Sequence, residues 1–429
     1  MYNRYSLRWL TLAIICLGFG GGFAFLVAMS RAPFAEGYVS ADFFYHALVG
    51  HVVLAILLWL SSFSIVMWSL YFKGKEWSFT YMLSFIGAIF VTFSVITGDG
   101  MAVPNNYVPS LVDPIFFSGL GLFFTGFSIN VLSYFKEACK NLFSSDTLMS
   151  TLSTSLLVAA FMITAMLFSL VINKMDGERP LIYYERLFWT PGHIQQILNG
   201  TLLVSVWYVL QRMVGIERNW RLLKFVNVVF LVSAGALFII PFISDPISKN
   251  AKIAAEIIYA VGLGAPIFLH AANILRGLKG DFKSVSSVSL ILSMVIYFFG
   301  VAIAYSGFGN DLRVPAHYHG VVTSLTLALM GVSYYLIKKG FKRRIFGGKI
   351  AKVQPIIYGV GMILFILGLF VSGFLGAPRK THGVAFATDP VILSALTVMG
   401  IGTLLAVTGG ILYVFYTSMT LILNRENDV

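Results

Sequence analysis

The sequence predicts an all-α, polytopic membrane protein with twelve transmembrane helices and both termini in the cytoplasm. Three observations carry that prediction. Of 429 residues, 58% are hydrophobic and only 11% are charged, which is a membrane composition rather than a soluble one. Apolar runs long enough to cross a bilayer recur along the chain. Lysine and arginine collect on alternate connections.

The spans justify themselves in order. Span 1, roughly 9–29, follows the polar segment MYNRYSLRW and has no small-residue cleavage site behind it, so it reads as a retained helix and not a removed signal peptide. Span 2, roughly 44–72, contains ALVGHVVLAILLW. Span 3, roughly 80–97, runs into GDGMAVPNNYVPSLVDP, a connection punctuated by Gly and Pro turns. Spans 4 and 5, roughly 115–135 and 151–173, are plain apolar runs. Span 6, roughly 188–210, holds LFWTPGHIQQI, and span 7, roughly 222–243, holds VVFLVSAGALFIIPF, which has no histidine. Spans 8 to 12 lie at roughly 252–275, 285–306, 313–337, 355–376 and 391–421. Short polar loops join them, without a linker or a low-complexity tract, so a single domain over 1–429 is expected.

The net charge of +12 raises nucleic acid as a partner, but the placement of the basic residues speaks for topology. With the N-terminus inside, 21 of the 30 basic residues fall on inner segments, among them Arg218, Lys279, Arg425 and seven between Lys338 and Lys352. No nucleic-acid partner is expected. Cys16 and Cys139 have neither metal-ligand spacing nor a plausible disulfide.

Ionisable residues inside a span are costly and mark a site by default. Seven histidines are present: His46, His51, His193, His270, His317, His319 and His382. At about 1.5 Å per helical residue, His51, His193, His317 and His319 share one layer roughly 6–10 Å below the outer surface, whereas His270 sits roughly 27 Å down. Residues two apart on a helix differ by about 200° in direction, so His317 and His319 serve opposite sides of span 10. One metal cannot take both, but two planar cofactors can, and neutral imidazole is a common haem ligand. The competing reading of any single such histidine is a packing residue hydrogen-bonded to the next helix.

The motifs AHYH in span 10, ALVGHVVLAILLW in span 2 and LFWTPGHIQQI in span 6 resemble those of subunit I of the haem-copper oxidases, the cytochrome c oxidases and nitric oxide reductases of respiration. The resemblance covers most of the chain. It implies that His317 is the axial ligand of a high-spin, reactive haem, and that His51 and His319 hold a low-spin haem, with His46 as runner-up to His51. It further implies that His193 is a ligand of a non-haem metal, and that Arg379 and Lys380 of GAPRKTHG hold haem propionates. The cofactors expected are two haems of unknown type. The partners expected are a cytochrome c or a cupredoxin-like subunit II as electron donor, together with other oxidase subunits. The location expected is a bacterial inner membrane.

Three departures qualify the resemblance. The family's span-7 His-His pair falls on Pro241 and Phe242, and His193 alone gives copper too few ligands. Gln195 and Ile197 stand where the family has a proton-conducting glutamate and a tyrosine, and neither can do that chemistry. His270 falls where many members carry the lysine of a second proton path, and it could pass protons; the bland reading bonds it to a neighbour such as Asn273. Asp99 and Asp113 in the outer loop offer a weakly acidic face to a basic cytochrome.

The expectation is therefore a membrane oxidoreductase passing electrons toward oxygen or nitric oxide. The alternative within the resemblance is a degenerate haem protein acting in electron transfer, sensing or assembly. An alternative of another class is a transporter, although no repeat symmetry or broken helix supports it.

Overall fold

A computed structural model describes residues 4–35, 37–174, 177–215, 220–278, 283–307 and 309–423. Arg218, Lys279 and Arg425 of the inner basic set lie outside them. Among the described residues, twelve helices are long and apolar enough to cross a membrane: α1 (Arg4–Met29), α2 (Ala41–Tyr71), α3 (Ser78–Thr97), α4 (Pro114–Asn141), α5 (Thr147–Ile172), α6 (Pro180–Val214), α7 (Leu223–Ile243), α8 (Lys249–Gly277), α9 (Val285–Ala304), α10 (Arg313–Gly340), α11 (Ile350–Phe374) and α12 (Pro390–Leu423). They match the twelve expected spans one for one, and most begin a few residues earlier than the apolar run. Ser40, Asp113, Asp146, Ser248 and Ser284 each accept a backbone N–H at a helix start, which satisfies donors that the first turn leaves unpaired.

Helices adjacent in sequence pack on one another, and α1 meets α12 to close the bundle. Within it, α2, α6 and α10 have 83% of their central window buried, against 28% to 50% for the other nine. These three interior helices carry His51, His193, His317 and His319. A helix shielded on all sides from lipid can carry polar side chains without meeting hydrocarbon, and α6 uses this with Thr190, His193, Gln195, Asn199, Thr201, Ser205 and Gln211 all buried.

The outer connection between α3 and α4 is more than a loop. It contains a hairpin, β1 (Met101–Val103) and β2 (Ser110–Val112), paired antiparallel with Ala102 opposite Leu111. Three-residue strands leave no readable alternation in a sequence. Asp113, expected to belong to an acidic outer face, instead caps α4: it accepts from the Ile115 and Phe116 amides at 3.2 and 3.1 Å and from Ser94 Oγ at 2.5 Å. Asp99 alone of the two carboxylates remains exposed.

Candidate functional site

His51 of α2 and His319 of α10 line one cavity with ring centroids 6.1 Å apart and planes only 7° from parallel. Each is oriented by its other nitrogen. His51 Nδ1 lies 3.1 Å from the Gly20 carbonyl of α1, and His319 Nδ1 lies 2.7 Å from the Pro315 carbonyl of its own helix. A ring N–H donated to a carbonyl fixes the tautomer and leaves the Nε2 lone pair available to a metal. Directly after His51 the helix opens into a π-helical turn, Val53–Leu58, a distortion common at functional sites.

His317 looks the other way, as its 200° offset requires. Its Nδ1 bonds the Gly300 carbonyl of α9 at 2.8 Å. That carbonyl is within reach because α9 and α10 cross backbone to backbone: a Cβ on Gly300 would stand 2.7 Å from the Gly320 Cα. His193 bonds Trp189 O through Nδ1 at 2.7 Å. It is walled by Trp189, Tyr107 and Tyr259, with ring centroids 4.1, 4.8 and 5.4 Å away.

All four histidines line one cavity of about 1980 Å³, roughly twice the ~1,000 Å³ upper size of an ordinary ligand pocket. Arg379 and Lys380 stand at its outer edge. Arg379 donates to Asn310 Oδ1 at 2.9 Å and to Asn106 Oδ1 at 2.7 Å, and Lys380 donates to Asn106 Oδ1 at 3.0 Å and to the Pro104 carbonyl. Burial, reinforced by the Arg379 guanidinium, pulls the Lys380 ammonium down to about 8.

The structure separates the remaining histidines from this layer. Both nitrogens of His46 face backbone carbonyls, Asp42 O at 3.1 Å and Gly100 O at 3.0 Å, so the runner-up ligand is an anchor of the outer hairpin. His270 contacts the Tyr208 hydroxyl and Asn227 Oδ1, both at 3.0 Å. Asn273 donates to the same Tyr208 hydroxyl at 3.2 Å. His382 Nε2 meets Val39 O at 2.7 Å in the outer loops.

Among the described residues no group of three His, Cys, Asp or Glu side chains could hold a metal ion. Phe242 is 56% exposed and packs on Phe168, so the span-7 position faces away from His193. Gln195 lines the cavity, whereas Ile197 is fully buried outside it.

Several cavity residues carry no signal in the sequence. Arg31, just beyond α1, is buried, bonds Thr381 O at 2.7 Å, lies 5.7 Å from the Phe44 ring centre, and is lowered to about 10 by burial. A lone arginine at an outer helix end, where basic residues are scarce, was the available hint. Tyr107, Asn106 and Glu185 come together only through the fold. Burial and the Glu185 carboxylate push the Tyr107 phenol above its usual range.

Two ligating nitrogens about 2 Å from a common metal put imidazole centres about 6 Å apart on opposite sides of it, which is the spacing found. The site thus fits a planar metal macrocycle between His51 and His319, with cations at its edge. Twelve spans around such a histidine pair define a membrane protein with the fold of haem-copper oxidase subunit I. The chain belongs to the family of cytochrome C and quinol oxidase polypeptide I, whose model matches residues 4–405. It is similar to an uncharacterized protein of Aquifex aeolicus, 34% identical over 85% of this chain and 92% of that one. It is also similar to an uncharacterized protein of Rickettsia prowazekii, 26% identical over 98% of this chain and 96% of that one. Its fold matches a heme-copper terminal oxidase dimer solved by cryo-EM, with a TM-score of 0.77 at 16% identity, over 100% of this chain and 86% of that one.

Proposed function

We propose that the whole chain, 1–429, forms one unit in a bacterial inner membrane and works as an oxidase-type haem protein. In this reading His51 and His319 hold a low-spin haem, His317 holds a second haem, and Arg379 with Lys380 pairs haem carboxylates. Bound there, haem would supply one-electron redox chemistry and, on the His317 side, a place for oxygen or nitric oxide. The protein's share is to orient the imidazoles through the Gly20, Pro315 and Gly300 carbonyls, to keep the group in a dry interior and to offset its carboxylates. Electrons enter from the outer side, from a cytochrome c or a cupredoxin-like subunit II, with other oxidase subunits assembled around the chain. The observation that carries the reading is the parallel pair of imidazoles 6.1 Å apart.

His270 is given a proton-handling place on the same reading. The bonds Tyr208–His270–Asn227–Ser150 run toward the turn before α5, where Ser150 Oγ donates to Leu142 O. A second reading has its own support: among the described residues His193 is in no group of three metal-ligating side chains, and Gln195 is no carboxyl. In that reading the chain carries haem for electron transfer, sensing or assembly without reducing oxygen.

The test is a reduced-minus-oxidised spectrum of the purified protein, repeated under carbon monoxide. Low-spin bands plus a carbon monoxide-sensitive Soret component support the oxidase reading. Low-spin bands without that response select the second. No Soret band rejects both and returns the chain to transport.

A further inference from the structure

We propose that the outer hairpin is the gate of the space beside His193, with Tyr107 as its plug and Asn106 as its latch, and that small uncharged molecules reach His193 when it lifts. The proposal rests on reading that side of the cavity as the ligand chamber.

The plug has a seat made for it. Tyr107 lies against Gly192 of α6, where an added Cβ would fall 2.7 Å from the Tyr107 Cβ and 3.1 Å from its ring. The absent side chain forms a notch one residue before His193, and the ring in that notch covers the imidazole from the outer side at 4.8 Å. Trp189 and Tyr259 cover it from within the bundle, and the Tyr259 hydroxyl donates to the His193 carbonyl at 3.1 Å. Those two rings sit on membrane helices. Tyr107 alone of the three sits on a loop.

The latch is a single residue joining three elements. The Asn106 amide donates to Glu185 Oε2 on α6 at 2.9 Å, its side-chain NH2 donates to Glu185 Oε1, and its Oδ1 accepts from Arg379 and Lys380 of the α11–α12 loop. Asn105 holds the tip in shape, its Oδ1 accepting from the Tyr107 and Val108 amides at 3.0 and 2.9 Å. Val103, Val108 and Leu111 of the hairpin are buried in the core, but an isolated two-stranded hairpin is marginal in water, so these ties fix where the tip rests. They are largely exposed and therefore compete with water. The root is firmer: His46 meets Gly100 O from α2, and Asp113 is fixed as the cap of α4. A tip tied by exposed bonds to a fixed root can open locally without unfolding the bundle.

The experiment uses the full chain in nanodiscs. Diethyl pyrocarbonate acylates accessible histidine, and peptide mapping reads each site. In the native protein His193 should react slowly, and in both Asn106→Ala and Tyr107→Ala at least tenfold faster. His270, 0% exposed, should stay unreacted throughout and so reports an intact bundle. Equal His193 rates in native protein and variants would overturn the gate. Should a variant lose His270 protection, hydrogen–deuterium exchange of the native protein decides: hairpin amides must exchange faster than those of α3 and α4, and equal protection overturns the proposal. Neither readout requires bound haem, so a protein that fails the carbon monoxide test rejects the function proposed above while this test still gives its own answer.

Discussion

At the scale of single residues, the tertiary partner of each histidine decides its chemistry. His46 and His51 lie on one helix five residues apart, yet one has both nitrogens on backbone carbonyls and the other has only Nδ1 on one and its ring parallel to that of His319. Replacing His51 or His319 with Ala should therefore remove the same low-spin spectrum, whereas His46→Ala should keep it and loosen only the outer hairpin. Retention of the spectrum in either of the first two variants would sink the pairing. Lys380 gives a pH prediction. Its folded pKa, about 8, lies below the usual lysine value, so the unfolded chain binds more protons between about pH 8 and 10.5. Stability of the haem-free protein should rise over that window as the buried charge is lost, and Lys380→Met should flatten the rise in a thermal-unfolding series.

Among the elements, three helices carry the site because they are the three most buried inside the bundle. α10 serves two sides at once, His319 toward α2 and His317 toward α9, and the α9 side depends on the Gly300–Gly320 crossing. Gly300→Val should push the helices apart and cost about 1–3 kcal/mol or more, as overpacking does. It should also disturb the group on His317 while the His51–His319 bands persist, which spectra of one preparation would compare. Asp113→Ala should cost about 1 kcal/mol of α4 capping, measured by thermal unfolding, with no gain or loss in binding a basic cytochrome. Unchanged stability would mean that the cap is dispensable.

For the whole molecule, the twelve spans close through α1 and α12 and put both ends on one face. Reporter fusions after Val429 should be active only in the cytoplasm, and fusions in the outer loop 375–389 only outside; a reversed pattern would overturn the orientation. Legibility followed the physics. The helix count and the gathering of His51, His193, His317 and His319 at one cavity were legible, because hydropathy and a fixed rise per residue convert sequence position into depth. The opposed directions of His317 and His319 were legible for the same reason. The hairpin was not, since strands of three residues have no period to read. Arg31, Tyr107, Asn106 and Glu185 were not either, because each acts through a neighbour distant in sequence.

The sequence by itself determined that this is a twelve-span membrane protein with a buried layer of histidines, because water and lipid act on each segment separately and their demands are written locally. Only the tertiary structure decided which histidines share a site and which serve packing. It also decided that Phe242 points away from His193 and that a tyrosine from an outer loop covers His193. These outcomes depend on how helices rotate and cross, on which glycines let a carbonyl approach, and on which loops fold back over the bundle, and no segment contains that information alone.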